Sequence, residues 1–206
     1  MRCVKGIGVV AGVAAVLAFP SFGQDYKVVD KEDLVERGGL FYEMDSDTPF
    51  TGKTVSFYPD GQIKTEGEFR DGKSNGLFIL WFDDGQKHME EEYWDGREEW
   101  RLTQWYRNGQ KFSEGMLKKG ASTCQGELQS IGVGTWTFWH SNGQIKKQGE
   151  FRDGKKEGKW KAWYANGQKA EEAEYWDDAE VSRIEWDTNG NPIQPPQPQP
   201  SPSPIR

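Results

Sequence analysis

The chain has 206 residues, 33 acidic against 26 basic side chains, a formal net charge of -7 and only 34% apolar residues. That length fits one domain, and the apolar share is too small for a thick two-layer core. The acidic balance argues against nucleic acid and anionic membrane surfaces as partners, because both are attracted by clustered Lys and Arg.

Residues 1–23 have a basic start at Arg2 and Lys5, an apolar run from Gly6 to Phe19, then Pro20 and the small residues Ser21 and Gly23. This is the layout of a secretory signal peptide, with cleavage expected before Gln24. A bilayer span needs about 20 apolar residues, and this run has 14. An exported chain is expected, periplasmic, secreted or held at the cell envelope, with no stable membrane insertion after cleavage. Cleavage removes the two cations and takes the net charge from -7 to -9. It also removes Cys3, leaving Cys124 as the only thiol, so no internal disulfide is expected.

Residues 24–50 read as a capping segment: Leu34-Val35, a Gly38-Gly39 turn and Leu40-Phe41-Tyr42 outline a hairpin. Repeat arrays need such ends, because an open terminal strand leaves backbone groups unpaired. Residues 51–193 form the array itself. Aligning PDGQ, DDGQ, RNGQ, SNGQ, ANGQ and TNGN places Gly61, Gly85, Gly109, Gly143, Gly167 and Gly190 in one column, at spacings of 24, 24, 34, 24 and 23. Such a period outranks any local secondary-structure assignment.

Other columns hold register. Four residues ahead of the glycine stand Phe57, Trp81, Trp105, Trp139, Trp163 and Trp186; next come Tyr58, Phe82, Tyr106, His140 and Tyr164. Gln62, Gln86, Gln110, Gln144 and Gln168 follow the glycine directly, and Gly72, Gly96, Gly120 and Gly154 mark a second turn, with Asp178 in the last unit. Two turns per unit leave two segments of ordinary strand length. Asp-Gly and Asn-Gly between aromatic runs are strong hairpin signals, since glycine accepts the positive φ of tight turns. Alternation predicts Trp136, Phe138 and His140 on one face and the tryptophan column on the other. The spacing of 34 reads as a loop or hairpin extension near residues 121–131. After Asn191 stand seven of the ten prolines, so residues 194–206 read as an extended, disordered tail.

These columns resemble the variant MORN repeat of bacteria, best seen in KEGKWKAWYANGQ, where Gly158, Trp160, Trp163, Tyr164, Asn166, Gly167 and Gln168 match its pattern. The segment from Leu34 to Gln62 is also similar to the start of a group catalogued as MORN-variant antitoxins. The resemblance implies an all-β fold, an elongated single-layer antiparallel β-meander with one hairpin per repeat. It implies no cofactor and little chemistry. Two departures stand out: Trp100 replaces the glycine found at Gly52, Gly76, Gly134 and Gly158, and the insert interrupts the array. An exported antitoxin would not meet a cytoplasmic toxin, so only an immunity role outside the cytoplasm fits both features.

Catalytic and metal-binding readings find little support. Glu66, Glu90, Glu114 and Glu172 share a column, which is how a solvated face reads, whereas an active site occurs once. His88 and His140 lie in different columns without ligand-spaced companions, so no metal site is expected. No helix is expected after the turn glycines, which argues against a phosphate loop. No enzyme activity is expected. The aromatic columns serve packing on one face, and on the other they offer a candidate binding surface of Phe57, Tyr58, Trp81, Phe82, Trp105, Tyr106, Trp139, His140, Trp163 and Tyr164. The partner expected there is a protein, with cell-wall or other glycans as the alternative and membrane lipid as a weaker third.

Overall fold

In the computed structural model, residues 27–94, 97–122 and 128–193 are described, and among them the backbone is almost wholly extended. After β1 (Val28–Asp30) and a single 3-10 turn (Lys31–Asp33), β2 (Leu34–Arg37) and β3 (Leu40–Glu43) make a separate hairpin. Six hairpins then follow one another along the chain. They are β4 (Gly52–Phe57) with β5 (Ile63–Arg70), β6 (Lys73–Trp81) with β7 (Lys87–Tyr93), and β8 (Glu99–Trp105) with β9 (Lys111–Ser122). The other three are β10 (Leu128–Trp139) with β11 (Ile145–Arg152), β12 (Lys155–Trp163) with β13 (Lys169–Trp176), and β14 (Ala179–Trp186) with β15 (Pro192–Ile193). From β4 to β15 each strand pairs antiparallel with the next, giving one sheet of 13 strands that also includes β1. The exception in direction is β1, which lies parallel to β4 because its connection runs through the β2–β3 hairpin. Among the described residues no helix is long and apolar enough to cross a membrane.

The two turns of each unit differ in kind. At the first, the Gly61 amide donates to the Tyr58 carbonyl (2.9 Å) and the Tyr58 amide to the Gln62 carbonyl (2.8 Å), with Gly61 at φ +87°. This is a type I turn closed by a left-handed residue and a bulge, and the strand register slips at Phe57, Trp81, Trp105, Trp139 and Trp163 accordingly. At the second turn both central residues have positive φ, as at Asp71-Gly72 and Asp153-Gly154; Asp178 adopts φ +72° where glycine is replaced.

Gly120 is not a turn residue: it lies inside β9, in the ladder that pairs Lys119 with Ser130 and Ser122 with Leu128. The insert lengthens β9 and β10, which pair with each other, to 12 residues each. Gly96, Cys124, the expected signal peptide and the expected tail lie outside the described residues.

The core occupies one face of the sheet. Its cross-strand row runs Thr54, Gly67, Phe78, Glu91, Leu102 and Gly115, and continues through Trp136, Gly149, Trp160 and Ala173. Small residues alternate with rings for a steric reason. A Cβ on Gly67 would stand 2.5 Å from the Phe78 ring, and on Gly115 or Gly149 it would stand 2.2 Å from the indole of Trp136 or Trp160. Each ring thus lies flat on a neighbouring glycine backbone. Phe151 and Tyr175 meet Trp160 edge-on at 4.9 and 6.5 Å, and Lys147 and Lys156 cover it. Trp160 is only 1% exposed as a result, without any second layer. At the N-terminal end the β2–β3 hairpin supplies the cover: Phe41 and Phe50 pack on Phe69, and the Phe41 amide donates to the Gly72 carbonyl (2.8 Å).

Candidate functional site

The face opposite the core carries the tryptophan column. Its next row inward is continuous across the sheet, from Val55, Glu66, Ile79 and Glu90 through Thr103, Glu114, Thr137 and Gln148 to Lys161, Glu172 and Ile184. Neighbouring hairpins repeat after two strands, so the rings of the column stand roughly 10 Å apart. Phe57 is exposed, and Trp81, Trp105, Trp139, Trp163 and Trp186 are half-buried.

Lysines cover several of these rings. Lys87 sits 5.9 Å from the Trp81 ring and 5.2 Å from Trp105, Lys111 lies 5.6 Å from Trp139, and Lys169 lies 4.9 Å from Trp186. Each of the three also pairs with a glutamate three residues on: Glu90 at 2.5 Å, Glu114, and Glu172 at 3.0 Å. The Lys169 hydrogen bond holds the Glu172 carboxyl below its ordinary value. The face is therefore a stripe of indoles bordered by paired charges. It offers flat apolar area and both signs of charge, but it does not converge on any one reacting position. Among the described residues no three His, Cys, Asp or Glu side chains are placed to hold a metal.

The second aromatic column has a different role. The hydroxyls of Tyr58, Tyr106 and Tyr164 donate to the carbonyls of Trp81, Trp139 and Trp186, at 2.7, 2.9 and 2.8 Å. His140 makes the same link from Nε2 to the Trp163 carbonyl at 2.8 Å; a carbonyl only accepts, so Nε2 carries the proton. Phe82 has no hydroxyl, and instead stacks on His88 at 4.1 Å beneath the Arg107 guanidinium. These rings tie each hairpin to the next, so of the ten candidate residues only the tryptophan column, with Phe57, presents area whose polar groups are not committed to the neighbouring unit.

The turn motif itself is another tie. Asn108, Asn142 and Asn166 donate from Nδ2 to the carbonyls of Ser141, Ala165 and Thr188 in the following turn, at 2.6, 2.7 and 3.0 Å. Asp60 and Asp84 cannot donate, and between the second and third turns Arg107 bridges to Asp83 and Asp84 at 2.5 and 3.3 Å. That hydrogen bond depresses the Asp83 carboxyl. The glutamine column rests on the next turn: a Cβ on Gly85, Gly109 or Gly167 would stand 3.3 to 3.4 Å from the Oε1 of Gln62, Gln86 or Gln144. The glycines therefore serve conformation and close approach together.

Two further features were not singled out from the columns. Glu91 stands in the glycine column, on the core face, and accepts from the Tyr93 hydroxyl (2.9 Å) and from Trp100 Nε1 (3.2 Å). Trp100 stacks on Tyr93 at 5.5 Å, which accounts for its presence in place of glycine. Burial, with Glu91 adding to it, raises the Tyr93 phenol, and burial lowers the Lys31 ammonium that lies 4.5 Å over Phe78. The other feature is Trp176, whose column neighbours Arg70, Lys118 and Arg152 are cations.

Comparison with known proteins places the hairpins. No curated protein matches the chain. Among solved structures, a protein of unknown function from Bacteroides fragilis NCTC 9343 aligns over 69% of this chain and 88% of its own, at 8% identity and a TM-score of 0.17. Residues 50–71, 133–153 and 156–177 each match the family model described as the MORN repeat variant, so three units of this sheet carry that repeat.

Proposed function

We propose that the protein is an exported, non-enzymatic repeat scaffold that binds another protein through its tryptophan face, as an envelope-associated or immunity factor. The observation that carries this reading is the line of regularly spaced, half-buried indoles and the exposed Phe57 along one face of the sheet, bordered by lysine–glutamate pairs. Aromatic rings bordered by charge are the composition of binding hot spots. Export rests on the composition of residues 1–23, and intact mass of the purified mature chain checks it: a species beginning at Gln24 is expected.

The binding test places a photo-crosslinking residue at Lys111, on the tryptophan face, and a control at Glu36, exposed on the separate β2–β3 hairpin. Recovery from envelope fractions of one adduct specific to position 111 supports the reading. Recovery of the uncrosslinked chain alone at both positions defeats it.

A further inference from the structure

Trp176 departs from its own repeat. The residue after the apolar column of Phe69, Tyr93, Leu117, Phe151 and Tyr175 is Arg70, Trp94, Lys118, Arg152 and Trp176 in successive units. Trp94 is half-buried, with the guanidinium groups of Arg97 and Arg101 at 5.5 and 5.6 Å from its ring. Trp176 has no cation over its ring among the described residues and is 68% exposed. The repeat thus supplies an internal control: the same position is cationic or covered elsewhere and is a bare indole here.

The surroundings of that indole are polar and charge-balanced. Trp176 borders a shallow depression of 320 Å³ with Arg152, Asp153, Lys155, Glu157 and Asp177. Arg152 pairs with Glu157 at 3.1 Å, Lys155 with Asp177 at 2.8 Å, and Asp153 with Lys118. A second depression of 330 Å³ shares Glu157 and continues past Glu150, Lys159, Lys161 and Gln148. Together they make one open trough on the tryptophan face, running across β10–β13 and ending on the indole.

We infer that this trough is a site for a neutral, linear pyranose oligosaccharide, with Trp176 as the stacking platform. A pyranose ring presents a flat C–H face to an indole and a rim of hydroxyls that both donate and accept. The paired side chains here offer donors and acceptors side by side, from Arg152 and Lys155 and from Glu157 and Asp177. An anionic ligand is disfavoured because the cations beside the indole are already neutralised by carboxylates. A protein hot spot is disfavoured because the side chains around this indole are charged, whereas charged residues are depleted at the core of protein interfaces. Openness at both ends suits a chain that passes through.

The test follows the indole N–H signals of the full chain by NMR during titration with cellotriose and with chitotriose. A saturable shift of the Trp176 signal is expected with at least one sugar, insensitive to added salt. W176A should weaken binding about tenfold, the scale of one lost ring stack, and W176F should restore much of it. Because Trp176 is exposed, both variants should keep the wild-type circular dichroism spectrum. No shift with either sugar, equal binding by W176A, or binding abolished by salt would each overturn the proposal. The crosslink from position 111 reads the protein-binding face independently, so either reading can fail alone.

Discussion

Glycine occurs in this sheet for two separable reasons, and single substitutions distinguish them. Gly149 has ordinary backbone angles but no room, since a Cβ would stand 2.2 Å from the Trp160 indole; Gly158 has φ +64° with nothing within 4 Å of its Cβ position. G149A should therefore cost about 3 kcal/mol or more through overpacking, and G149N should be worse. G158A should cost about 1 to 2 kcal/mol from left-handed strain, and G158N should recover most of that because Asn adopts this conformation. Urea unfolding of the four variants checks this; a G158N as damaging as G149N would show that space matters at both sites. At the same scale, His140 occupies a tyrosine position and makes the tyrosine bond. H140Y should be neutral or stabilising, and H140F should lose about 1 kcal/mol, the worth of one hydrogen bond.

At the scale of the hairpin, three departures from the repeat meet at one place. Glu91 replaces glycine, Trp100 replaces glycine and Leu102 replaces a large ring, and the first two are joined by a hydrogen bond. E91A should cost about 1 to 3 kcal/mol, because it strands the Trp100 Nε1 and Tyr93 hydroxyl donors. The triple variant E91G/W100G/L102W rebuilds the ring-on-glycine pair of the other units and should be more stable than E91A in the same urea titration. A triple variant no better than E91A would mean that the three positions are not coupled. Much of this level was legible in the sequence: the period, both turns of most units, the strand alternation and the N-terminal hairpin follow from residue type at fixed spacing. What was not legible depends on which residues lie opposite one another. The tyrosine columns read as surface until the register placed each hydroxyl on the next unit's carbonyl. Gly120 read as a turn until the lengthened β9–β10 pair absorbed it. The exposure of Trp176 depends on the cations that cover Trp94 and are absent beside it.

For the molecule as a whole, each unit is held mainly by its neighbours, as in other linear arrays. Many of the ties between and within units involve carboxylates whose ionised form is favoured. Hydrogen bonds depress Asp83 through Arg107, Asp153 through Lys118, Glu172 through Lys169, Glu180 through Arg183 and Asp187 through the Asn191 amide. A carboxylate whose folded pKa lies below its unfolded value contributes stability above the ordinary 3.8 to 4.5 and loses it as pH falls through the folded value. Four of these five groups lie beyond residue 150, and Asp187 closes the last turn, where it also accepts from the Asn189 amide at 2.9 Å. Acid should therefore loosen the array from its C-terminal end. Hydrogen exchange followed down from neutral pH should show β14 and β15 losing protection before β4 to β7, whose end is sealed by the uncharged packing of Phe41 and Phe50 on Phe69. D187N, which removes one of the titrating groups at that end, should reduce the pH dependence of β14 protection while lowering its value at neutral pH. Uniform loss of protection along the sheet would instead mean that the array unfolds as one cooperative unit.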